Sequence, residues 1–272
     1  VFTDADVHTS VLVLHRERSR PAREANVVVT THQLSPVFAA RPLFHSHTRQ
    51  ETFAGLPGMV WNISVNDKNA SLIFRLTTNY TPLEKVATIN RGLITGNRDK
   101  YFADRKLSSK HAPILTGSDV QRYQIANSSE FVLFERPKSA GGCWDKEVHF
   151  ASHKLVVRQI CERPTAGILQ VPLAVTGNVF TVRAGDLTTE LYLLGIINSR
   201  LIGFFWRTMF ADFKTSFPQV TIFSLAQVPI RCLDLADPTD KRQRDTMVTK
   251  VKAMLESKEH HAKARTDKDK SY

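Results

Sequence analysis

The chain has 272 residues, 42% of them hydrophobic, enough to fill one large core or two modest ones, so a globular, soluble protein is expected. Its 37 Lys and Arg against 26 Asp and Glu leave a formal charge of +11, which fits either a polyanionic partner or a basic surface kept for solubility. Its three cysteines, Cys143, Cys161 and Cys232, lie far apart without a CxxC pair or zinc-ligand spacing, which excludes a sequence-evident metal site and suits a reduced, intracellular protein.

In chain order, Val11 to Leu14 is apolar at every position and predicts a strand covered on both faces, ending in a basic turn. No signal-peptide pattern precedes it, and the sequence reads as cut from a larger protein. Asn26–Thr31 and Ser71–Leu76 are short strand candidates, set among Pro21, Pro36, Pro42, Pro57 and Gly58. Trp61 and Ile63 stand before the polar turn VNDKNA, and Trp61 reads as a packing anchor. Further strands are predicted at Phe131–Phe134, Leu155–Gln159 and Val179–Val182, each rich in β-branched or aromatic residues. Loops such as ERPKSAGGCWDKE separate them.

One long buried helix is predicted from near Leu187, with Thr188 or Thr189 as its cap and Glu190 near its positive end. Its apolar run, Leu191 to Phe210, contains Asn198, Ser199, Arg200 and Arg207. A charged residue at a bilayer centre costs roughly 2.5 to 3.5 kcal/mol on the insertion scale, so a membrane span is not expected. Asp237, Pro238 and Asp240 break the chain before a final helix, on which Met247, Val248, Val251, Met254 and Leu255 recur along one face. Beyond Glu259 the tail lacks an apolar stripe and is expected to be frayed or disordered.

Catalytic motifs are missing. Transfer of a methyl group to an exocyclic amine calls for a motif such as Asn-Pro-Pro-aromatic, and the nearest string, Thr78 to Pro82, reverses the order. There is no glycine-rich loop of the kind S-adenosylmethionine needs, no nuclease carboxylate cluster, no G-x-S-x-G elbow and no recognisable Cys-His pairing. His45 and His47 read as surface residues rather than a metal pair, and His260-His261 as idle.

Binding signals are present. Arg91, Thr95, Asn97, Arg98 and Lys100 share a segment with Gly92 and Gly96, where glycine lets a backbone approach a phosphate and where Arg and Asn suit guanine and adenine edges. The alternative is a solvated turn between two strands. The loop LTGSDVQRY offers amides around Gly117, a helix start at Ser118 or Asp119, Arg122 as a phosphate contact and Tyr123 for packing; the alternative is a plain N-cap. Lys154 and Arg158 flank an apolar strand.

Leu83 to Phe102 and His111 to Tyr123 together resemble the opening of the TaqI-like C-terminal specificity domain, with which adenine-specific DNA methyltransferases and fused restriction-methylation enzymes choose their DNA sequence. HKLVVR resembles that family's strand pattern, with His153 in place of a proline, while the acidic residue expected near Ile168 to Val175 is missing. Leu194, Ile197, Asn198, Ser199, Leu201, Phe205 and Arg207 stand at the family's helix positions, the Asn-Ser pair in a structural role, and Val228 to Ile230 match its hydrophobic-Pro-hydrophobic stretch. Phe2, Asp4, Ala5, Val7 and Thr9 resemble the last hairpin of the catalytic domain. The resemblance runs from about Val1 to Leu255 in five ordered segments.

It implies an α+β fold: a mixed, β-rich target-recognition domain with a long buried helix and a C-terminal amphipathic helix. The implied layout is a methyltransferase hairpin over 1–30, a connector over 31–82, the recognition domain over 83–235, and a closing helix and tail over 236–272. The implied role is sequence-specific binding of double-stranded DNA in a cytoplasmic restriction-modification or phage-defence system. No cofactor is expected in this portion, S-adenosylmethionine belonging to an upstream methyltransferase domain, and the parent could also carry an endonuclease. The residues this role draws on are Arg91, Thr95, Asn97, Arg98, Lys100, Arg122, Lys154 and Arg158. A protein-interaction scaffold and an autonomous enzyme with an unrecognised site are the rival readings.

Overall fold

A computed structural model describes residues 13–32, 44–56, 61–62, 64–210 and 218–263. The chain divides into two units, Val1–Tyr80 and Thr81–Tyr272.

In the first unit, α1 (Arg20–Ala25) opens where the Ser19 hydroxyl accepts from the Ala22 amide, with Pro21 in the first turn, where its missing N–H costs nothing. β1 (Val27–His32) pairs antiparallel with β2 (Phe44–Arg49), Val27 opposite Arg49. Then come α2 (Gln50–Ala54) and α3 (Ala70–Thr78). Trp61 stacks on the buried Phe53, ring centroids 5.5 Å apart and 12° from parallel, so it is a packing residue.

Two expectations fail here. Val13 and Leu14 are outside any strand and 89% and 72% exposed, with no described segment over them, while Val11 and Leu12 fall outside the described residues. The stretch 71–76 is helix, not strand. Ile73 and Leu76 are one helical turn apart and buried while Phe74 is half exposed, a period of three rather than two. Asn66 and Asn69 organise its entry, the Asn69 carbonyl oxygen Oδ1 accepting from the Asn66 amide at 2.8 Å.

The second unit is layered. Its inner sheet has the order β11 (Ala166–Leu169), β10 (Lys154–Arg158), β13 (Val179–Arg183), β4 (Thr88–Arg91), all antiparallel. Alternate side chains divide between its faces. Leu155, Val157, Ile168, Phe180 and Val182 point to the helices, while Val156, Leu169 and Val179 point to an outer sheet. That outer sheet has the order β12 (Ala174–Val175), β6 (His111–Leu115), β9 (Glu130–Leu133), β5 (Phe102–Ala103), with β12 parallel to β6 and the rest antiparallel. Leu115 and Val175 close the core between the sheets. Small pairs complete the unit: β3 (Thr81–Pro82) with β14 (Pro229–Ile230), and β7 (Val120–Gln121) with β8 (Gln124–Ile125). The short helices are α4 (Arg98–Tyr101), α5 (Lys146–His149) and α8 (Ile222–Ala226). The predicted strands at 131–134, 155–159 and 179–182 are thus present as β9, β10 and β13, and the architecture is α+β.

The long helix is two helices. α6 (Leu187–Ile197) starts at Asp186, whose carboxylate accepts from the Thr189 amide at 2.9 Å, so the cap precedes the two threonines. It ends at Asn198, and α7 (Arg200–Met209) begins anew with the Ser199 hydroxyl accepting from the Ile202 amide at 3.1 Å. Asn198 is buried, accepting from the Ala166 amide at 3.0 Å and donating to the Ala166 carbonyl at 2.9 Å, which ties the break to β11. α9 (Pro238–Lys263) packs along α6, with Val248 and Val251 buried and Met247 and Val251 against Gly195. Helix continues four residues past Glu259, through the segment expected to fray; residues 264–272 fall outside the described ones.

Candidate functional site

β4 delivers Arg91 to the end of the inner sheet, where the chain enters a backbone-to-backbone lock. The Gly92 amide donates to the Val179 carbonyl and the Leu93 amide to the Val175 carbonyl, both at 2.9 Å. Ile94 and Gly141 exchange a pair of 3.0 Å hydrogen bonds, and the Cys143 amide donates to the Arg91 carbonyl at 2.9 Å. Glycine is required twice. A Cβ on Gly92 would collide with the Thr176 carbonyl oxygen, and one on Gly142, whose φ is +67°, would collide with the Gly92 carbonyl oxygen. Gly92 was expected to leave room for a phosphate, but its space is filled by the protein's own backbone.

From this base the loop projects its polar residues. The Arg91 guanidinium turns inward, Nε donating to the Gly177 carbonyl at 2.7 Å and Nη2 to the Gln159 side chain at 3.4 Å. Thr95 is buried and donates to the Asn97 carbonyl at 3.3 Å. Asn97 caps α4, its Oδ1 accepting from the Lys100 amide at 3.1 Å. Arg98 is exposed, pairs with Glu130 and lies over the Phe102 ring, 4.2 Å from its centroid. The Lys100 ammonium sits 5.8 Å from the Tyr101 centroid.

The second loop satisfies itself. Asp119 Oδ2 accepts from the Thr116 amide at 2.8 Å and its own amide donates back to the Thr116 carbonyl, closing a single 3-10 turn over 117–119 instead of opening a helix at Ser118 or Asp119. The Gly117 amide, expected to be free for an anion, donates to Asn178 Oδ1 at 3.1 Å. Arg122 donates through Nη2 to the Asn198 carbonyl at 2.5 Å, where a cation meets the negative end of α6. Tyr123 packs against the main core with φ +59°, and burial pushes its hydroxyl pKa up, against the pull of Arg122.

On β10 the two basic residues part. Arg158 is at the same end of the sheet as Arg91, one strand apart across β13, and donates to the Ile160 carbonyl at 2.8 Å. Lys154 is at the other end and fully buried, its ammonium donating to the His149 carbonyl at 2.6 Å. Burial, with repulsion from Arg183, pulls its pKa down to about 8 against the attraction of Glu190. His149 is buried too, which lowers its pKa; Nδ1 accepts from the Val175 amide, so Nε2 donates to the Cys143 carbonyl. Lys154 therefore has no surface to offer a partner here. His153, in the family's proline position, hydrogen-bonds through Nδ1 to the buried Glu190 at 2.8 Å.

The structure thus gathers Arg91, Thr95, Asn97, Arg98 and Lys100, sets Arg158 beside them, and leaves Arg122 and Lys154 elsewhere. Sequence reasoning passed over Arg136, Trp144 and Lys146, which share one groove; the signal was an aromatic just after the Gly141-Gly142 pair with a cation on each side of the loop, Arg136 before the glycines and Lys146 after them. Among the described residues no group of three His, Cys, Asp or Glu is placed to hold a metal, and no helix is long and apolar enough to cross a membrane.

Residues 112–230 match the family described as the TaqI-like C-terminal specificity domain. Among solved structures the chain is similar to the HsdS subunit from Thermoanaerobacter tengcongensis, at 12% identity and a TM-score of 0.40 over 71% of this chain and 42% of that one. It is also similar, at 12% identity and a TM-score of 0.39, to a chain from a structure of the assembly and conformational transition of the type I R-M system, over 65% and 40% of the two chains. It spans about two fifths of the length of those chains, and likeness this distant carries no weight for function. A search of curated proteins found no match. The stretch similar to the TaqI-like C-terminal specificity domain runs from β6 through the greater part of both sheets and the α6–α7 pair to β14.

Proposed function

We propose that this chain chooses the DNA sequence on which an adenine-specific methyltransferase of a restriction-modification or phage-defence system acts. The observation that carries this reading is the specificity-domain match over residues 112–230. In it, the locked loop after β4 presents Arg98 and Lys100 on a rigid base, phosphate contacts set the register, and Arg and Asn side chains read base edges. Asn97 keeps its Nδ2 donor free for a base while Oδ1 caps α4. Thr95, Arg91 and Arg158 hold the loop and sheet end in place through their bonds to backbone carbonyls.

The glycine-bearing segment after β4 does not fit S-adenosylmethionine. The nearest approach to a cradle is the glycine-bearing segment after β4, and the backbone of Val175 and Thr176 occupies the space a ligand would need. In the proposed reading the cofactor and the methyl transfer belong to an upstream methyltransferase domain in the cytoplasm. The test is selection of duplexes from a random-sequence pool by the full chain, followed by anisotropy titrations at several salt concentrations. The expected result is an enriched sequence, bound with an affinity that falls by orders of magnitude between about 50 and 200 mM salt if six or more phosphates are neutralised. A pool that stays random after selection would overturn it.

A further inference from the structure

A groove of about 590 Å³ opens on the outer-sheet side of the lock, lined by Phe134, Arg136 and the stretch Gly142–Lys146. Its volume is that of a ligand site, and its walls are held. Gly142 rests on the Gly92 carbonyl, the Cys143 amide and carbonyl are bonded to Arg91 and His149, and the Trp144 indole N–H donates to the Gly141 carbonyl at 2.9 Å. The Trp144 ring lies against Phe134, centroids 5.6 Å apart at 53°, and Phe134 is backed by Phe150 at 5.0 Å.

With its N–H engaged, Trp144 has only its ring to offer an occupant. Arg136 and Lys146 are exposed, and neither forms an ion pair among the described residues. Asp145 lines the groove as well; Oδ1 accepts from the Glu147 amide at 2.9 Å, and Oδ2 has no bond among the described residues. A carboxylate there repels a bare phosphate but accepts readily from the exocyclic amine of a base. Flat aromatic surface, two unpaired cations and one acceptor match the three parts of a nucleotide.

We propose that this groove holds one unstacked nucleotide of the bound DNA, its base on Trp144, its phosphate against Arg136 and Lys146, and a base amine at Asp145. The inference rests on the DNA-binding reading but uses residues outside the loops that reading relies on. The chain would therefore grip a base that has left the duplex as well as the duplex itself.

The experiment compares the full chain on two duplexes of one sequence, one fully paired and one carrying a single unpaired 2-aminopurine. The expected result is about tenfold tighter binding of the second, with quenched 2-aminopurine emission as the base stacks on the indole. Trp144→Leu brings the affinity ratio close to one, Trp144→Phe keeps it, and the double substitution Arg136→Ala, Lys146→Ala lowers it. Equal binding of the two duplexes by the unsubstituted chain overturns the groove alone and leaves the DNA reading standing, as does a ratio that survives Trp144→Leu. Binding of neither duplex overturns both.

Discussion

The two sheets of the second unit treat their basic residues differently. Three strands of the inner sheet are covered on both faces, every residue of β11 and the first four of β10 and β13 being buried, while β4 at its edge is more open. Four cations on it or at its rim are engaged with the protein's own carbonyls: Lys154 on His149, Arg158 on Ile160, Arg91 on Gly177 and Arg122 on Asn198. The outer sheet is thinner. In β5, β6 and β9 only Ile114, Leu115 and Val132 are buried, and the cations around it, Arg98, Lys100, Arg136, Lys138 and Lys146, stand in water. The basic residues of the two sheets therefore form two populations, one that holds the fold and one exposed to solvent.

The sharpest way to break that division is at the lock joining the sheets. Gly142→Ala places a side chain at positive φ against the Gly92 carbonyl, and the expected loss is about 3 kcal/mol, read as a lowered unfolding midpoint in urea or heat. Asn198→Ala strands the buried amide of Ala166, whose carbonyl keeps the Tyr123 amide, and should cost about 1 to 3 kcal/mol by the same measurement. If either variant melts like the unsubstituted chain, the inner framework is not held as described.

Lys154 tests the inner population by pH. Its pKa falls from 10.5 to about 8 on folding, so between those values the unfolded chain holds a proton that the folded chain has released. The penalty of the buried charge is present in full below pH 8 and is relieved as pH rises toward 10.5. The stability of the unsubstituted chain relative to Lys154→Met should therefore increase across that window; a constant difference would place the lysine in water. The smallest stability effect belongs to the outer population. Arg98→Ala removes an exposed pair with Glu130 and should cost less than about 1 kcal/mol. In the proposed function it also lowers the salt dependence of duplex binding by about one phosphate. A large stability loss with unchanged DNA binding would move Arg98 to the inner population.

Much of the framework was legible. β9, β10 and β13 are legible as β-branched and aromatic runs, and of the segments that resemble the specificity domain those within residues 112–230 coincide with the family match. What stayed hidden depends on distant partners. An apolar hexamer such as Ser71–Leu76 fits helix and strand alike until burial decides. The helical period runs unbroken through Asn198, and only its bonds to Ala166, 32 residues earlier, show why the helix stops there. Gly92 and Gly117 look alike as loop glycines, yet Thr176 and Asn178 fill their open sides. Whether a lysine beside a strand faces water or a carbonyl, as Lys154 does, is likewise set by the layer packed over it.

The side-chain amide of Asn198 has a further consequence. β11 is the last strand of its sheet, and at Ala166 the amide both accepts and donates as a neighbouring strand would, a one-residue imitation of a ladder rung drawn from a helix end.

 With that rung occupied, the strand has no free pair of backbone groups there for another chain to add to. Loss of the amide would therefore leave the Ala166 N–H open at the sheet edge as well as loosen a helix. Asn198 variants should gather into larger particles by light scattering at temperatures where most molecules are still folded, and so limit how concentrated the protein can be kept.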